Sequence, residues 1–431
     1  MLHLLLAAAL LAPQEPLPPP PPRGPAPEAL HVYLDCSLCD FDFFRTEITW
    51  VNWVRDRHDA QVHILVSTQG TAAGGTEYTL TFIGQQEFEG RADTLRYVSR
   101  PAETDDAVRR GLAHAMSLGL VRYAAQTPLA GELEVRRAGL PPGAGPAQHP
   151  HDPWNYWVFS VGTSANANGD ASDRYSYTSA SLSANRITDA WKTQLSVYGS
   201  WTRNAYQVPD SLGNLYWFVS PTHTFTFSGM LVRSLGRHWS AGAQATAQSS
   251  TYYNRDYNYV VGPAVEYDLF PYQQSTRRQL RFLYAVNLER DVYDQITLYG
   301  KTAETMPNHA LTVALSLIEK WGTVSVSLNG TEYLNDLRKY DAGLYGGFTV
   351  HLVRGLSVGA SGSYSAVHDQ LYLPAAGATS LEIVARQRQL ATQYTYYVYY
   401  SISYTFGSIF NNVVNPRFGP SGSGASSCFC F

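Results

Sequence analysis

The sequence predicts a multi-domain protein: a small α+β domain followed by an antiparallel transmembrane β-barrel of about 12 strands. Three observations support this prediction. Charged residues make up only 15% of the 431 residues, well below the roughly 25% of soluble domains. Of the 30 Tyr, 26 fall between residues 154 and 406. The longest purely apolar run, 4–12, is much shorter than the ~20 residues of a spanning helix, which leaves barrel strands as the way to cross a membrane.

The first 27 residues predict export from the cytoplasm. Residues 1–12 have the apolar stretch and small residues of a signal peptide, and a buried N-terminal helix is the alternative interpretation. Residues 13–27 are dense in Pro and predict an extended spacer. We therefore expect everything that follows to lie outside the cytoplasm.

Residues 28–125 predict a periplasmic α+β domain. This range contains 14 acidic residues, 9 Arg and no Lys, which gives it a net charge of −5. Hydrophobic periodicity and capping residues predict the elements in chain order: a strand at 31–35, a helix over 40–58, strands at 62–66 and 78–82, a weaker strand at 95–97, and a helix capped by Thr104.

Cys36 and Cys39 form a C-x-x-C pair between the first strand and the first helix. We favour a structural disulfide, because the neighbouring Asp35 and Asp40 would raise the pKa of the thiols and oppose redox reactivity. A redox pair, or a metal site completed by His31, are the alternatives. We predict no metal and no other cofactor for this chain.

Two further segments punctuate the chain. Residues 126–153, rich in Pro and Gly, predict a linker, in which His149 and His151 are expected to be solvated. Residues 407–431 predict a C-terminal periplasmic tail that ends with Cys428 and Cys430, to which the sequence assigns no role.

Residues 154–406 alternate between apolar and polar side chains in runs typical of barrel strands. In the last run, Tyr394, Tyr396 and Val398 share one face, while Thr395 and Ser401 share the other. We predict twelve strands, at about 154–166, 175–186, 190–206, 221–233, 238–253, 257–269, 278–292, 309–319, 322–333, 342–353, 355–367 and 391–406.

The predicted connections alternate in length, as the periplasmic turns and outer loops of bacterial barrels do. The segment 270–277 is an exception, since it is long for a periplasmic turn. The short connections are 187–189, 234–237, 320–322 and 354, and the long ones are 167–174, 207–220, 293–308, 334–341 and 368–390.

Several ionisable residues fall on the predicted inward face of the barrel. Glu266 and Asp268 share one strand, Arg281 and Glu289 share the next, and His351 alternates onto the same face. They are candidates for lining a pore, and the alternative is a structural network inside the lumen.

At this point the chain resembles bacterial outer-membrane β-barrel proteins as a class. The aromatic end of the last strand, Tyr404-Thr-Phe406, is similar to the signal that the barrel-insertion machinery reads, although 25 residues follow it here. The segment 35–42 joined to a barrel is also similar to uncharacterised outer-membrane proteins with an N-terminal periplasmic domain. The resemblance implies a bacterial outer-membrane location, with outer-membrane lipid and the insertion machinery as partners, and with a periplasmic protein as a candidate further partner.

The expected function is passage of a small solute or export substrate, with the periplasmic domain gating the barrel or recruiting a partner. The alternatives are a non-conducting anchor that displays a partner-docking domain, and an outer-membrane hydrolase. No catalytic motif assigns residues to the hydrolase, so an enzymatic role is undecided and less favoured. A net charge of −4 argues against a nucleic-acid partner.

Overall fold

The computed structural model describes residues 29–37, 39–71, 74–100, 103–135, 152–376, 391–410 and 412. The predicted signal peptide and spacer lie outside the described residues, as do His149, His151 and the C-terminal Cys pair.

The N-terminal domain is a five-stranded mixed sheet with two helices. The strand order is β2-β1-β3-β4-β5, in which β1 is parallel to both neighbours and β3, β4 and β5 are antiparallel. This confirms the predicted α+β class. The elements are β1 (His31–Asp35), α1 (Phe41–Glu47), β2 (Asn52–Trp53), β3 (Val62–Gly70), β4 (Thr76–Gly84), β5 (Ala92–Val98) and α2 (Asp105–Ala124).

The core of this domain lies between the sheet and the helices. Val32, Ile64 and Phe82 of the sheet are fully buried, as are Met116 and Leu120 of α2. Helix α2 begins where predicted, with the Thr104 hydroxyl accepting a hydrogen bond from the Ala107 amide at 3.3 Å. A Cβ added at Gly119 would come within 2.1 Å of the Phe82 ring, so a glycine is needed for this close approach.

The helix predicted over 40–58 is wrong beyond Glu47. There the chain turns out of α1 and forms β2 beside β1, with the Asn52 amide donating to the Leu30 carbonyl at 2.9 Å. Ile48 and Val51 are buried all the same. Their β-branched side chains favour extended backbone, and pairing with β1 prevails over the helical spacing.

The rest of the described chain is a twelve-stranded antiparallel sheet in which every strand pairs with its neighbours in sequence. The predicted count is confirmed. The strands are β6 (Trp157–Gly169), β7 (Asp173–Ile187), β8 (Trp191–Pro209), β9 (Leu215–Ser234), β10 (Trp239–Ser250), β11 (Arg255–Asp268), β12 (Arg278–Tyr293), β13 (Ala303–Glu319), β14 (Gly322–Tyr333), β15 (Tyr340–Val353), β16 (Leu356–Val367) and β17 (Tyr394–Tyr404).

Strand register separates this sheet into two chemically different faces, because directly paired residues point to the same side. We call them the polar face and the apolar face. One row of paired residues on the polar face comprises Ser160, Ser183, Ser196, Ser228, Thr246, Val260, Glu289 and Met306. The next row, on the apolar face, comprises Phe159, Ala184, Leu195, Gly229, Ala245, Val261, Leu288 and Pro307.

The first and last strands are the edges of the sheet. Within the described residues, β6 pairs only with β7 and β17 pairs only with β16. Separately, none of the helices in the described part of the chain is both long and apolar enough to cross a bilayer.

Three of the predicted long connections are wrong in length. The predicted loops 167–174, 207–220 and 293–308 are shortened to 170–172, 210–214 and 294–302, because the strands beside them extend further. Short turns at 320–321 and 354–355 define what we call the short-turn end of the sheet, and the loop 294–302 and the segment 368–376 after β16 define the long-loop end. The exceptional connection before β12 contains a short 3-10 helix, Tyr272–Gln274, at the short-turn end.

Candidate functional site: the polar face and its two ends

All five predicted inward residues fall on the polar face. Asp268 pairs with Arg281, Glu289 pairs with Val260 on that face, and His351 pairs with Ser357. They do not form one site, however. Glu289 lies toward the long-loop end, and the other four lie at the short-turn end.

Glu289 belongs to what we call the carboxylate network, which is formed by Arg255, Asn258, Glu289, Asp291 and Asn308. The Asn258 amide donates to Glu289 at 2.9 Å and to Asp291 at 2.7 Å. The Asn308 amide donates to the second oxygen of Glu289 at 2.9 Å. The Arg255 guanidinium lies 3.4 Å from Glu289 and 3.2 Å from Asp291. Two buried carboxylates therefore share a single cation.

The segment 368–375 covers this network. The Asn254 side chain donates to the Tyr372 carbonyl at 2.8 Å, and the Leu298 amide donates to the Leu373 carbonyl at 2.8 Å. The Tyr372 ring lies 4.9 Å from the Arg255 guanidinium. Burial, followed by the nearby Asp341 carboxylate, raises the pKa of Asp369 in this segment to about 6. The segment thus closes over one part of the polar face at the long-loop end.

Burial and hydrogen bonding assign the network a structural role. Glu289 is 6% exposed and Asp291 is fully buried, and both oxygens of Glu289 accept hydrogen bonds. Buried charges are stable only when they are paired and hydrogen-bonded in this way. Glu289 therefore stabilises strand packing and is not available to a passing solute.

At the short-turn end, Glu266 and Arg281 are partly accessible, whereas Asp268 is only 1% exposed. Glu266 Oε2 lies 3.8 Å from Arg281 Nε, and the Tyr272 hydroxyl donates to Glu266 at 3.2 Å. Gln279 donates to Asp268 at 2.7 Å. The Arg281 side chain is 37% exposed and that of Glu266 is 20% exposed, so this pair can meet water and ions.

The N-terminal domain lies against this short-turn end. A cavity of about 700 Å³ is lined by Thr68 and Gln69 of β3 together with Glu266 and Arg281. Farther along, Thr81 and Arg96 line a second cavity of about 440 Å³ with residues of the 3-10 turn that precedes β12. The helix-free face of the N-terminal sheet therefore faces this end of the twelve-stranded sheet.

The 3-10 turn Arg57–Asp59 makes the charged contacts of this junction. Arg354 pairs with Asp59, Nε to Oδ2 at 3.1 Å, and the Gly355 amide donates to the Asp56 carboxylate. Arg57 donates to the His351 carbonyl at 3.0 Å. The backbone of His351 thus serves docking, and His351 is one of the residues that line a cavity of about 330 Å³ at the junction.

The remaining predicted residues lie apart from these clusters. Cys36 and Cys39 form a disulfide with a Cα–Cα distance of 5.6 Å, directly before α1. Tyr404 lies 62% exposed on the apolar face, and its ring stacks on that of Phe406 at 5.5 Å. Among the residues that the structure describes, no group of three His, Cys, Asp or Glu side chains is arranged to hold a metal ion.

Sequence reasoning missed four members of the carboxylate network: Arg255, Asn258, Asp291 and Asn308. Alternation held the necessary signal for Asp291, which lies two positions after Glu289 on the same strand face. It held the same signal for Asn258, two positions before Val260. The docking residues Arg57, Asp59 and Arg354 carried no comparable signal, because their contacts join segments far apart in sequence.

No family model and no curated protein matches this chain. A search of solved structures aligns it with a NanC porin in a rhombohedral crystal form, at 10% identity and a TM-score of 0.28, covering 57% of this chain and 99% of that one. A TM-score of 0.28 is too low to assign a fold, so we assign the fold from the strand pairing of this chain alone. Twelve sequential antiparallel strands fit the class of outer-membrane β-barrels.

Proposed function

We propose that this protein is an outer-membrane β-barrel that passes a small polar solute or export substrate, and that its N-terminal domain gates the periplasmic mouth. The observation that carries the proposal is the contrast between the two faces of the twelve-stranded sheet. Large apolar side chains are exposed along one face, among them Phe282, Tyr284 and Leu288. Such a face suits lipid, and the hydroxyl-rich opposite face suits a water-filled lumen.

The polar face differs in side-chain size from strand to strand. Along β16 it carries the small side chains Ser357, Ser361 and Ser363. Neighbouring strands add hydroxyl-bearing rings to the same face, since Ser363 pairs with Tyr397 and Ser181 pairs with Tyr198. Hydroxyl groups of both kinds suit a lumen that holds water.

A barrel requires that β6 and β17 pair with each other. In lipid, each unpaired backbone N–H or C=O would cost several kcal/mol, and twelve strands in alternating directions bring these two edges together antiparallel. Hydrogen exchange in lipid nanodiscs tests this closure. We expect the amides of β6 and β17 to be protected as strongly as those of β8, and free exchange at both edges would exclude a closed barrel.

Single-channel recording of the refolded protein in a planar bilayer tests the passage of solutes. We expect steady unitary currents, and we expect Arg281→Gln to shift ion selectivity toward cations and Glu266→Gln toward anions by roughly twofold or more. Arg290→Gln on the apolar face of the same strand is the matched control. Insertion without current would contradict the proposal.

Locking the junction tests the gate. A disulfide formed between Asp59→Cys and Arg354→Cys should hold the N-terminal domain on the barrel and lower conductance until a reductant is added. The unmodified chain, which carries the Cys36–Cys39 disulfide, controls for the reductant itself. Equal currents in the locked and released forms would exclude gating by this domain.

The second candidate function is a non-conducting anchor that displays the N-terminal domain to an envelope partner. It is favoured by the carboxylate network and the segment that covers it, which together fill part of the lumen. The bilayer recording separates the two candidates, because an anchor inserts without carrying current.

A further inference from the structure

The chain continues past the last barrel strand and contacts the N-terminal domain. The Thr405 amide still donates to the Gly355 carbonyl at 2.8 Å, alongside the barrel. Four residues later the Ile409 carbonyl accepts from the Arg55 amide at 3.0 Å, and Phe410 forms an antiparallel bridge with Val54. These contacts lie at β2, which is the edge strand of the five-stranded sheet.

Side chains reinforce the backbone contacts. Asn412 accepts from the Trp53 amide at 2.7 Å and donates to the Asn52 side chain at 2.9 Å. The Phe410 ring lies edge-on to the His31 ring at 5.5 Å. Addition of an extended segment to a sheet edge, with main-chain bonds for affinity and alternate side chains for specificity, is a common mode of peptide recognition.

The backbone donors of this edge alternate between two partners. Asn52 and Val54 donate inward to the carbonyls of Leu30, directly before β1, and of Val32 in β1, each at 2.9 Å. Trp53 and Arg55 donate outward to the tail. The edge of β2 therefore has donors that are committed to its own sheet and donors that serve the incoming segment.

We infer that the edge of β2, together with His31, is a binding surface for an extended peptide, and that its occupant is the chain's own segment formed by residues 407–410 and 412. This segment, which we call the docking strand, fastens the N-terminal domain to the short-turn end of the barrel. It acts beside the contacts of the turn Arg57–Asp59 and adds main-chain hydrogen bonds to them. Its consequence for gating rests on the proposed function, whereas the docking itself does not.

Residue-resolved hydrogen exchange on the full chain in detergent tests the docking strand. In the double variant Phe410→Ala/Asn412→Ala, we expect the Trp53 and Arg55 amides to exchange about tenfold faster or more, while Asn52 and Val54 keep their protection. Leu235→Ala, in another turn at the same end of the barrel, is the matched control and should change none of the four. Unchanged exchange at Trp53 and Arg55 would overturn the inference.

Two additional measurements test the alternative explanations for protection at Trp53 and Arg55. A synthetic peptide of residues 405–413 added to the double variant should restore protection at Trp53 and Arg55, and a scrambled peptide should not. Loss of protection at all four amides in the double variant, without rescue, would overturn the inference by making the tail part of the domain's own fold. Protection that falls on dilution of the unmodified chain would assign the docking strand to a second copy, and would also overturn it.

The outcome for gating is separable from the outcome for docking. If exchange at Trp53 and Arg55 rises but the open probability in the bilayer does not, the docking strand stands and the gate fails. If currents are absent in every variant while exchange behaves as expected, the proposed passage of solutes fails and the docking strand still stands.

Discussion

The two sheets of this protein use side-chain alternation in opposite ways. In the N-terminal sheet, apolar side chains such as Val32 and Phe82 point into a dry core that the helices cover. In the twelve-stranded sheet, apolar side chains such as Phe282 are exposed and the buried positions hold Asn308, Glu289 and Asp291. The difference shows that alternation specifies that a strand has two faces, and that the surroundings decide which face is inside.

The largest expected difference between the two sheets is the stability lost when a large aromatic side chain is truncated. Phe82→Ala removes a fully buried ring that contacts Gly119, and we expect it to lower the free energy of unfolding of the N-terminal domain by about 3–5 kcal/mol. Phe282→Ala on the apolar face is the matched control and should cost much less in detergent. Urea denaturation monitored by hydrogen exchange measures both losses, at the β3 amides for Phe82→Ala and at the β12 amides for Phe282→Ala. Equal losses would contradict the contrast.

Removal of the shared cation tests whether the polar face depends on buried charge. Arg255→Met leaves Glu289 and Asp291 buried without a counterion, and should destabilise the twelve-stranded sheet by about 3 kcal/mol. Arg290→Met, on the exposed face of β12, should have little effect.

A rescue experiment separates the effect of buried charge from the effect of packing in the carboxylate network. Adding Glu289→Gln and Asp291→Asn to Arg255→Met removes the uncompensated negative charge, so most of the lost stability should return. A triple variant as unstable as Arg255→Met would mean that packing of the guanidinium against Tyr372, and not charge, explains the loss.

The smallest expected effect is a pH dependence of the covering segment. Burial, with the nearby Asp341 carboxylate, raises the pKa of Asp369 to about 6, so the docked segment binds more protons than the released one between pH 7 and pH 5. Docking should therefore become more favourable as pH falls through 6, by roughly 1 kcal/mol. The protection factor of the Leu298 amide measures it, and Asp369→Asn should abolish the dependence.

Much of the fold followed from local signals. Alternation of apolar and polar side chains predicted the twelve strands. It also predicted that five ionisable residues share one face, because every second residue of a strand points to the same side and paired residues of neighbouring strands do too. These residues are Glu266, Asp268, Arg281, Glu289 and His351. The Thr104 cap marked the start of α2 for an equally local reason. The helix predicted over 40–58 was wrong, since pairing of Asn52 and Val54 with β1 is a contact between segments that no local pattern contains.

Side-chain periodicity within a few residues is enough to specify the small α+β domain, the twelve strands with two unlike faces, and the ionisable residues that share one of those faces. Tertiary contacts alone bury Glu289 in a network under the segment 368–375 and leave Glu266 partly accessible. Tertiary contacts also bring the turn Arg57–Asp59 to Arg354, and the residues after β17 to the edge of β2. Those contacts join residues hundreds of positions apart, and their geometry exists only once the strands have assembled.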